Sequence, residues 1–541
     1  MKKTVFTLFV CLMFINAYTQ LSINGTPKSF SYKTHSVVPT VYLTKPDMSK
    51  VEAEDAKADA MGRAYRTGIL LNTNINPQNS GVWDFLPDGS AIWRVSVKSD
   101  GAKAIGLYFS DWFMTPGVEV YAYSPDKKYV IGAFTELNNI DFRTMAMDKI
   151  PGEEAVLEVF VPDRNQNFDL ELNQISYFYR GVDMENKAKV GACQVNVACS
   201  EGDDWRDQIR SVAKINMVLS TGTYMCSGAL VNNIKEDCTP YFLTADHCSV
   251  GDDLVPVTPA QLSQWIFTFK YQSNGCSGTY STSHKSYTGA TYKASDSYGE
   301  NKTGSDFFLC VLNNNPEHVN AYYAGWSYLT TPSASGVSVH HPDGAIKKIS
   351  TYASVLLNCG THWCVSWAPT ANGHGVTEGG SSGSPLFDKD KRIVGTLTGG
   401  SSTCAEPTKV DIYGKMSTHW ASAGSASDKQ LKYWLDPTGA SSGKLDGRNC
   451  FVGLNDVDYV RANIQIFPNP ASEVLNIDFS NYNIEKGVLS ISNLLGKTVI
   501  ESDMGNYTDV VKININDLAP GMYFVKIKSN TENVSIPFIV Q

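Results

Sequence analysis

The sequence predicts a mainly β protein divided into several units, and three observations carry that reading. Short apolar runs alternate with polar residues between Gly, Pro and Asp turns through most of the chain, the signature of strands rather than helices. A length of 541 residues asks for three or four units, each with room for its own core. The twelve cysteines are clustered: ten lie between 193 and 404, Cys11 falls in the leader, and Cys450 follows alone. That clustering marks a disulfide-bonded middle unit in an oxidising compartment.

Residues 1–20 read Met-Lys-Lys, an apolar run from Thr4 to Ile15, then small and polar residues, which predicts a secretory signal peptide. Cys11 is not expected to be a lipidation site, because the apolar run continues past it and Val10 is not small. No other stretch approaches the 18 apolar residues of a membrane helix, so no transmembrane segment is predicted.

Residues 21–189 open on a polar lead, followed by an Ala/Lys/Asp/Glu-rich segment from Met48 to Arg66 that predicts a helix. Strand patterns then follow at 91–97, 104–109, 118–123 and 155–161, which together predict a small β-sandwich. Residues 190–447 hold strand runs at 241–245, 307–312, from Leu329 onward, and at 337–340, 363–367 and 392–397. Leu431, Trp434 and Leu435, at i, i+3 and i+4, predict one amphipathic closing helix. A polar linker at 448–462 leads to residues 463–541, whose short strands predict a compact β-sandwich with no titratable cluster.

The chain carries 45 basic and 54 acidic residues, a net charge of −9, with no basic block to track phosphates. Nucleic acid is therefore not an expected partner.

Three short words in the middle unit carry chemistry: Thr244-Ala-Asp-His-Cys248, Gly304-Ser-Asp-Phe-Phe308 and Gly379-Gly-Ser-Ser-Gly-Ser-Pro385. A serine hydroxyl needs an imidazole to take its proton and a buried carboxylate to hold that imidazole's tautomer. His247, Asp306 and Ser382 supply them in the order used by chymotrypsin-like double barrels, which predicts that fold and excludes the subtilisin and α/β-hydrolase orders. The small residues around Ser382 permit a sharp turn in which the N–H groups of Gly380 and Ser382 converge on an oxyanion. Asp252, Asp253 and Asp296 are the competing orienters, and Asp306 is preferred because it leads a strand. His340 and His341 lack Cys or carboxylate neighbours at chelating spacing, so a structural role is expected, with no metal and no cofactor. The alternative from another class is a catalytically silent surface adhesin on a protease scaffold.

The middle unit resembles the secreted bacterial lysyl endopeptidases, trypsin-like serine proteases, through Gly191-Ala-Cys193, Val197-Ala-Cys-Ser-Glu-Gly-Asp203, Leu230-Val-Asn-Asn233, Tyr241 to Cys248, Ser305-Asp-Phe307, Ala324-Gly-Trp326, His340-His-Pro342, Gly375-Val-Thr-Glu378, Ser381 to Pro385 and Trp434-Leu-Asp-Pro437. The resemblance implies His247 as general base, Asp306 as its orienter and Ser382 as nucleophile. It also implies disulfides Cys193–Cys404, Cys199–Cys276 and Cys226–Cys248, and makes residues 21–189 the propeptide, a partner of its own enzyme. Cys359 and Cys364 are close enough to pair across a hairpin, while Cys238, Cys310 and Cys450 are left open. Lys187 and Lys189 precede Val190, so a lysine-specific enzyme could cut its own junction.

Specificity follows from the same resemblance. Trypsin's pocket-floor carboxylate lies six residues before the nucleophile, where this chain has Val376. The lysyl endopeptidases take theirs from a later loop, which matches Asp411, and Thr398, Gly399 and Gly400 are expected to bind substrate in the same S1 pocket. The loop before Asp411 is shorter than in that family, and its assisting tryptophan and histidine are replaced, the histidine by Thr398. Lysine at P1 is the expectation, with Glu or a large apolar residue as the alternative. The tail resembles the C-terminal sorting domain of the type IX secretion system through Phe467-Pro-Asn-Pro470, Gly496-Lys497 and Leu518 to Tyr523, which implies that export machinery as partner and a secreted or cell-surface enzyme.

Overall fold

The computed structural model describes residues 25–541 except 33, 35, 183–189, 279–283, 298–302, 422–423, 451–463, 480–486, 495, 505–509 and 530–532. The expected signal peptide, Lys187 and Lys189, and most of the expected linker therefore lie outside the described residues.

Strands dominate, in a chymotrypsin-like pair of barrel-like sheets flanked by β-rich regions. The first barrel is built from strands Val212–Leu219, Gly222–Leu230, Tyr241–Thr244, Ile266–Phe269, Lys285–Thr288, Ala290–Asp296 and Phe307–Leu312. Pairing of Tyr241–Thr244 with Phe307–Leu312 sets Thr244 opposite Phe308, so the segments that carry His247 and Asp306 leave the sheet side by side. The second barrel is a ten-stranded sheet that includes Gly336–His340, Lys348–Tyr352, His362–Val365, Pro385–Asp388, Arg392–Gly400 and Asp411–Lys415. A shared apolar cluster closes the space between the two, with Leu243, Leu309, Trp326, Phe387 and Ile393 fully buried in it.

The region before the barrels packs two sheets around one core, Trp93, Val95 and Leu157 of one against Ile105, Leu107 and Phe109 of the other, but this sandwich is not independent of the first barrel. One of its sheets, six-stranded, is self-contained, with Ala91–Lys98 paired to Glu154–Val161 at its centre. Its other four strands, Tyr65–Ile75, Ala104–Phe113, Met145–Pro151 and Asp169–Phe178, continue the first barrel as one eleven-stranded sheet. The join is antiparallel, Tyr65 opposite Met225, Arg66 opposite Tyr224 and Gly68 opposite Thr223. Ala64, Tyr108 and Ala146 enter the first barrel's core across it. Arg66 pairs with Asp55 at 2.8 Å on its own side and with Asp252 at 3.3 Å on the other. An exposed strand edge is a template for pairing, and here the chain supplies the partner itself.

The expected helix over Met48–Arg66 stops at Ala60. Gly62 takes φ +69°, and Tyr65 onward is drawn into the sheet because an open edge lies beside it. The closing helix is shorter than the apolar spacing suggests, Lys432–Leu435, since Pro437 cannot continue it. A separate helix, Met416–Ala421, precedes it. From Leu329 the chain is irregular up to Gly336, with Pro332 unable to donate to a ladder.

Five disulfides staple the middle of the chain: Cys193–Cys404, Cys199–Cys276, Cys226–Cys248, Cys359–Cys364 and Cys238–Cys450. Cys310 is free and buried, and burial pushes its thiol pKa well up, so it behaves as an inert apolar side chain. Residues from 464 onward form a three-stranded and a four-stranded sheet around Leu475, Ile477, Leu489, Ile491, Val525 and Ile527.

Candidate active site

His247 stands in a short 3-10 turn, Asp246–Ser249, at the end of strand Tyr241–Thr244. The Cys226–Cys248 disulfide ties that turn to the neighbouring strand. Asp306 leads the next strand in a left-handed conformation, φ +60°, which Asp tolerates better than most residues. Its carboxylate grips His247 at two points, accepting the backbone N–H at 2.9 Å and bonding ring Nδ1 at 2.8 Å. Burial works against the imidazolium, but Asp306 outweighs it and holds the His247 pKa above the ordinary value. Reciprocally, burial would raise the Asp306 pKa, and His247 brings it below the usual carboxylate value. Ring Nε2 is buried and has no hydrogen-bond partner.

Ser382 sits in the turn Gly379–Ser384, packed directly against the histidine's strand. A Cβ on Gly383, whose φ is +76°, would lie 2.0 Å from Thr244 Oγ1 and 2.7 Å from Ala245 N. The Ser227 N–H donates to Ser382 O at 2.8 Å, on the strand that carries Cys226. Within the turn, Ser381, Gly383 and Ser384 spend their N–H groups on Glu378 O, Leu397 O and Ser381 O, whereas those of Gly380 and Ser382 are not used by the turn. No hydrogen bond joins His247 to Ser382 in this structure; such contacts commonly tighten only when substrate is bound.

His247 and Asp306 line a cleft of about 1310 Å³ together with Asp246, Thr398, Gly399, Gly400 and Ser401. Its far wall is unexpected: Met61, Gly62, Arg63 and Phe142 come from the region before the barrels.

Asp411 lies outside that cleft. Val410 and Ile412 line it, so strand alternation turns Asp411 to the opposite face, toward the segment that leads into Ser382. There its Oδ2 accepts from Trp367 Nε1 at 2.6 Å, Thr377 Oγ1 at 2.7 Å and Ser402 Oγ at 2.6 Å, and its Oδ1 accepts the Ser402 N–H at 3.0 Å. It is fully buried, and among the described residues no cation pairs with it. A Cβ on Gly400 would clash with Oδ1, so glycine is what lets the backbone there approach the carboxylate.

Several supporting groups escape sequence reasoning. Thr398, read as the replacement for an assisting histidine, hydrogen-bonds Asp306 and also meets His362 Nε2 at 2.9 Å. A histidine thus reaches that position from another strand. His419 bridges Ser305 Oγ and Thr396 Oγ1, and Thr396 in turn donates to Asp306 O. Position alone could have drawn attention to Ser305, next to Asp306; nothing in the sequence singles out His362 or His419. His340 and His341 are fully buried beside the Ser382 turn. Cys226, His247 and Cys248 present ligand atoms within 4.8 Å of one another, but both sulfurs are spent in a disulfide and cannot act as thiolates.

Against curated proteins, the chain is 27% identical over 403 residues to a lysyl endopeptidase of Pseudomonas aeruginosa, spanning 68% of this chain and 82% of that one. Among solved structures it is similar to a thermostable serine protease from an extremophilic microorganism (14% identity, TM-score 0.29, 39% of this chain and 92% of that one). It is also similar to a Glu endopeptidase (13% identity, TM-score 0.26, 42% of this chain and 92% of that one). The chain is a chymotrypsin-like serine endopeptidase. Residues 188–414 match the family model of the lysyl endopeptidase C-terminal domain, and residues 465–541 match that of the secretion system C-terminal sorting domain. The sorting domain marks the enzyme for secretion or the cell surface. Among the described residues no helix is long and apolar enough to cross a membrane.

Proposed function

We propose that the enzyme cleaves after lysine by way of an acyl-enzyme. Ser382 Oγ attacks the scissile carbonyl carbon while His247 Nε2 takes the hydroxyl proton, and Asp306 keeps the imidazole in the tautomer that can receive it. The oxyanion is held by the Gly380 and Ser382 N–H groups. On collapse the C–N bond breaks, and Nε2 returns its proton to the leaving amine. Water then attacks the ester by the same relay, freeing the new carboxyl end and Ser382.

The observation that carries the lysine reading is Asp411: a fully buried carboxylate held by four hydrogen-bond donors, with no cationic partner among the described residues. A substrate ammonium would complete it, and a neutral side chain would leave it unmatched. Thr398, Gly399 and Gly400 form the adjoining wall. Residues 21–189 are the prosegment, 190–447 the protease, and 463–541 the tail removed after export, with maturation at Lys187 or Lys189. The strand join at Tyr65–Gly68 and the Met61–Arg63 wall of the cleft support a prosegment that blocks its own enzyme.

Profiling cleavage of a peptide library tests this. Lysine is expected at P1, and Asp411→Asn should lower kcat/KM on lysyl peptides about a hundredfold, the worth of one charge-assisted contact. A preference for Glu or large apolar residues that is indifferent to Asp411→Asn would overturn the lysine reading.

A further inference from the structure

The His340-His341 pair takes no part in the proton relay, yet it lies against the turn that must stabilise the oxyanion. Four contacts tie the 338–343 segment to that turn. Asp343 N–H donates to Gly379 O at 2.6 Å. His341 N–H donates to Ser227 Oγ at 2.9 Å, and that hydroxyl donates to Gly380 O at 2.9 Å. His340 Nδ1 meets Ser381 Oγ at 2.7 Å. Ser338 Oγ donates to Ser384 Oγ at 3.3 Å.

Peptide geometry gives the first contact its meaning. In a trans peptide the C=O and the following N–H point in opposite directions. Gly379 O and Gly380 N belong to one peptide unit, so anchoring that carbonyl on Asp343 turns the Gly380 N–H away from the loop, where an oxyanion can receive it. Gly380 holds this orientation at φ +87°, and a Cβ there would lie 3.0 Å from His341 O. His340 fixes the next residue along. Ser381 Oγ accepts the Glu378 N–H at 3.2 Å, so its own proton is free for Nδ1, and His340 Nε2 can donate to Ser350 Oγ at 2.9 Å.

We infer that His340 is a positioning residue for catalysis: through Ser381 it sets the peptide that carries the Ser382 N–H, while the backbone of His341 and Asp343 sets that of Gly380. This rests on Ser382 being the nucleophile, but not on the lysine preference. Burial, with Lys348 nearby, pulls the His340 pKa down to about 3, so it works as a neutral hydrogen-bonding strut throughout the assay range.

The test uses the matured enzyme carrying His340→Ala, Ser381→Ala or both. Substrates have the preferred P1 residue, and inhibition is measured with the matching peptide aldehyde, whose adduct places an oxyanion-like oxygen in the same hole. Each single variant is expected to lose about tenfold to a hundredfold in kcat, below the cost of deleting an oxyanion donor outright, with KM within about threefold. The aldehyde inhibition constant should rise by the factor by which kcat/KM falls, and the acid limb of the pH profile should stay in place. The double variant should lose little more than either single one. If His340→Ala does not accumulate, Ser381→Ala, which deletes only a hydroxyl, decides by the same criteria. Unchanged kcat, additive losses, or a kcat loss without weaker aldehyde binding would overturn the inference. Ser382→Ala is the separate control: turnover persisting there would refute the nucleophile assignment instead.

Discussion

At the scale of single residues, the His247–Asp306 pair sets how activity depends on pH. In the proposed mechanism His247 must be neutral to accept the serine proton, and Asp306 holds its pKa above the ordinary 6.5 against the opposing effect of burial. The kcat/KM should therefore fall with acid through a midpoint above that of a free histidine. Asp246 adds to this: burial and the adjacent Asp306 hold its own pKa up to about 6, and once ionised it too raises that of His247. Asp246→Asn removes a negative charge beside the imidazole, so the acid limb should move to lower pH, which a kcat/KM profile would detect; a limb that stays put or moves upward contradicts it. The geometry around His247 and Asp306 was legible in short words because each sits where a strand ends. His362, His419 and His340 were not, because His362 and His340 reach the site from distant strands and His419 from the helix Met416–Ala421, and local sequence carries no trace of that meeting.

At the scale of elements, the turn Asp246–Ser249 depends on a covalent tie rather than on a long helix or a core of its own. Cys226–Cys248 closes a loop with a sequence separation of 22, and loop-closure entropy assigns such a bond about 3 kcal/mol. Cys226→Ala/Cys248→Ala should lose about that much in urea unfolding, and kcat should fall more than the folded fraction accounts for, because the histidine's turn loosens. A stable variant with full kcat would show that the strand alone suffices. Strands such as Phe307–Leu312 and Arg392–Gly400 were legible because alternation and turn residues agree. The start of Tyr65–Ile75 is not legible as strand, because Tyr65 and Arg66 continue a composition rich in helix formers and only the edge of Gly222–Leu230 draws them into the sheet.

For the whole molecule, the join between the leading region and the first barrel matters most. Besides the strand pairing it carries buried polar contacts, among them Lys149 Nζ to Asn216 Oδ1 at 3.0 Å and Ser176 Oγ with Thr223 Oγ1 at 2.7 Å. The ring of Tyr65 lies over Gly379, and its hydroxyl meets Asp343, the residue that anchors the Gly379 carbonyl. A separately made 21–189 polypeptide should therefore inhibit the matured protease in trans. Tyr65→Ala or Arg66→Ala should weaken that inhibition by about tenfold or more, since each removes a contact made only in the complex. Full activity with a saturating excess of the unaltered polypeptide would contradict it. Pairing between segments some 150 residues apart leaves no periodic mark, so this join could not be read from the chain.

The Cys238–Cys450 bond has a bearing on the far end. A digestive enzyme shortening the chain from residue 541 inward would be halted by a covalent knot at Cys450, fastened to a loop 212 positions earlier. The barrels cannot then unravel from that end while the bond stays oxidised. Being delivered outside the cell and cutting there become separable tasks, and the chain can discard the means of the first without fraying the machinery of the second.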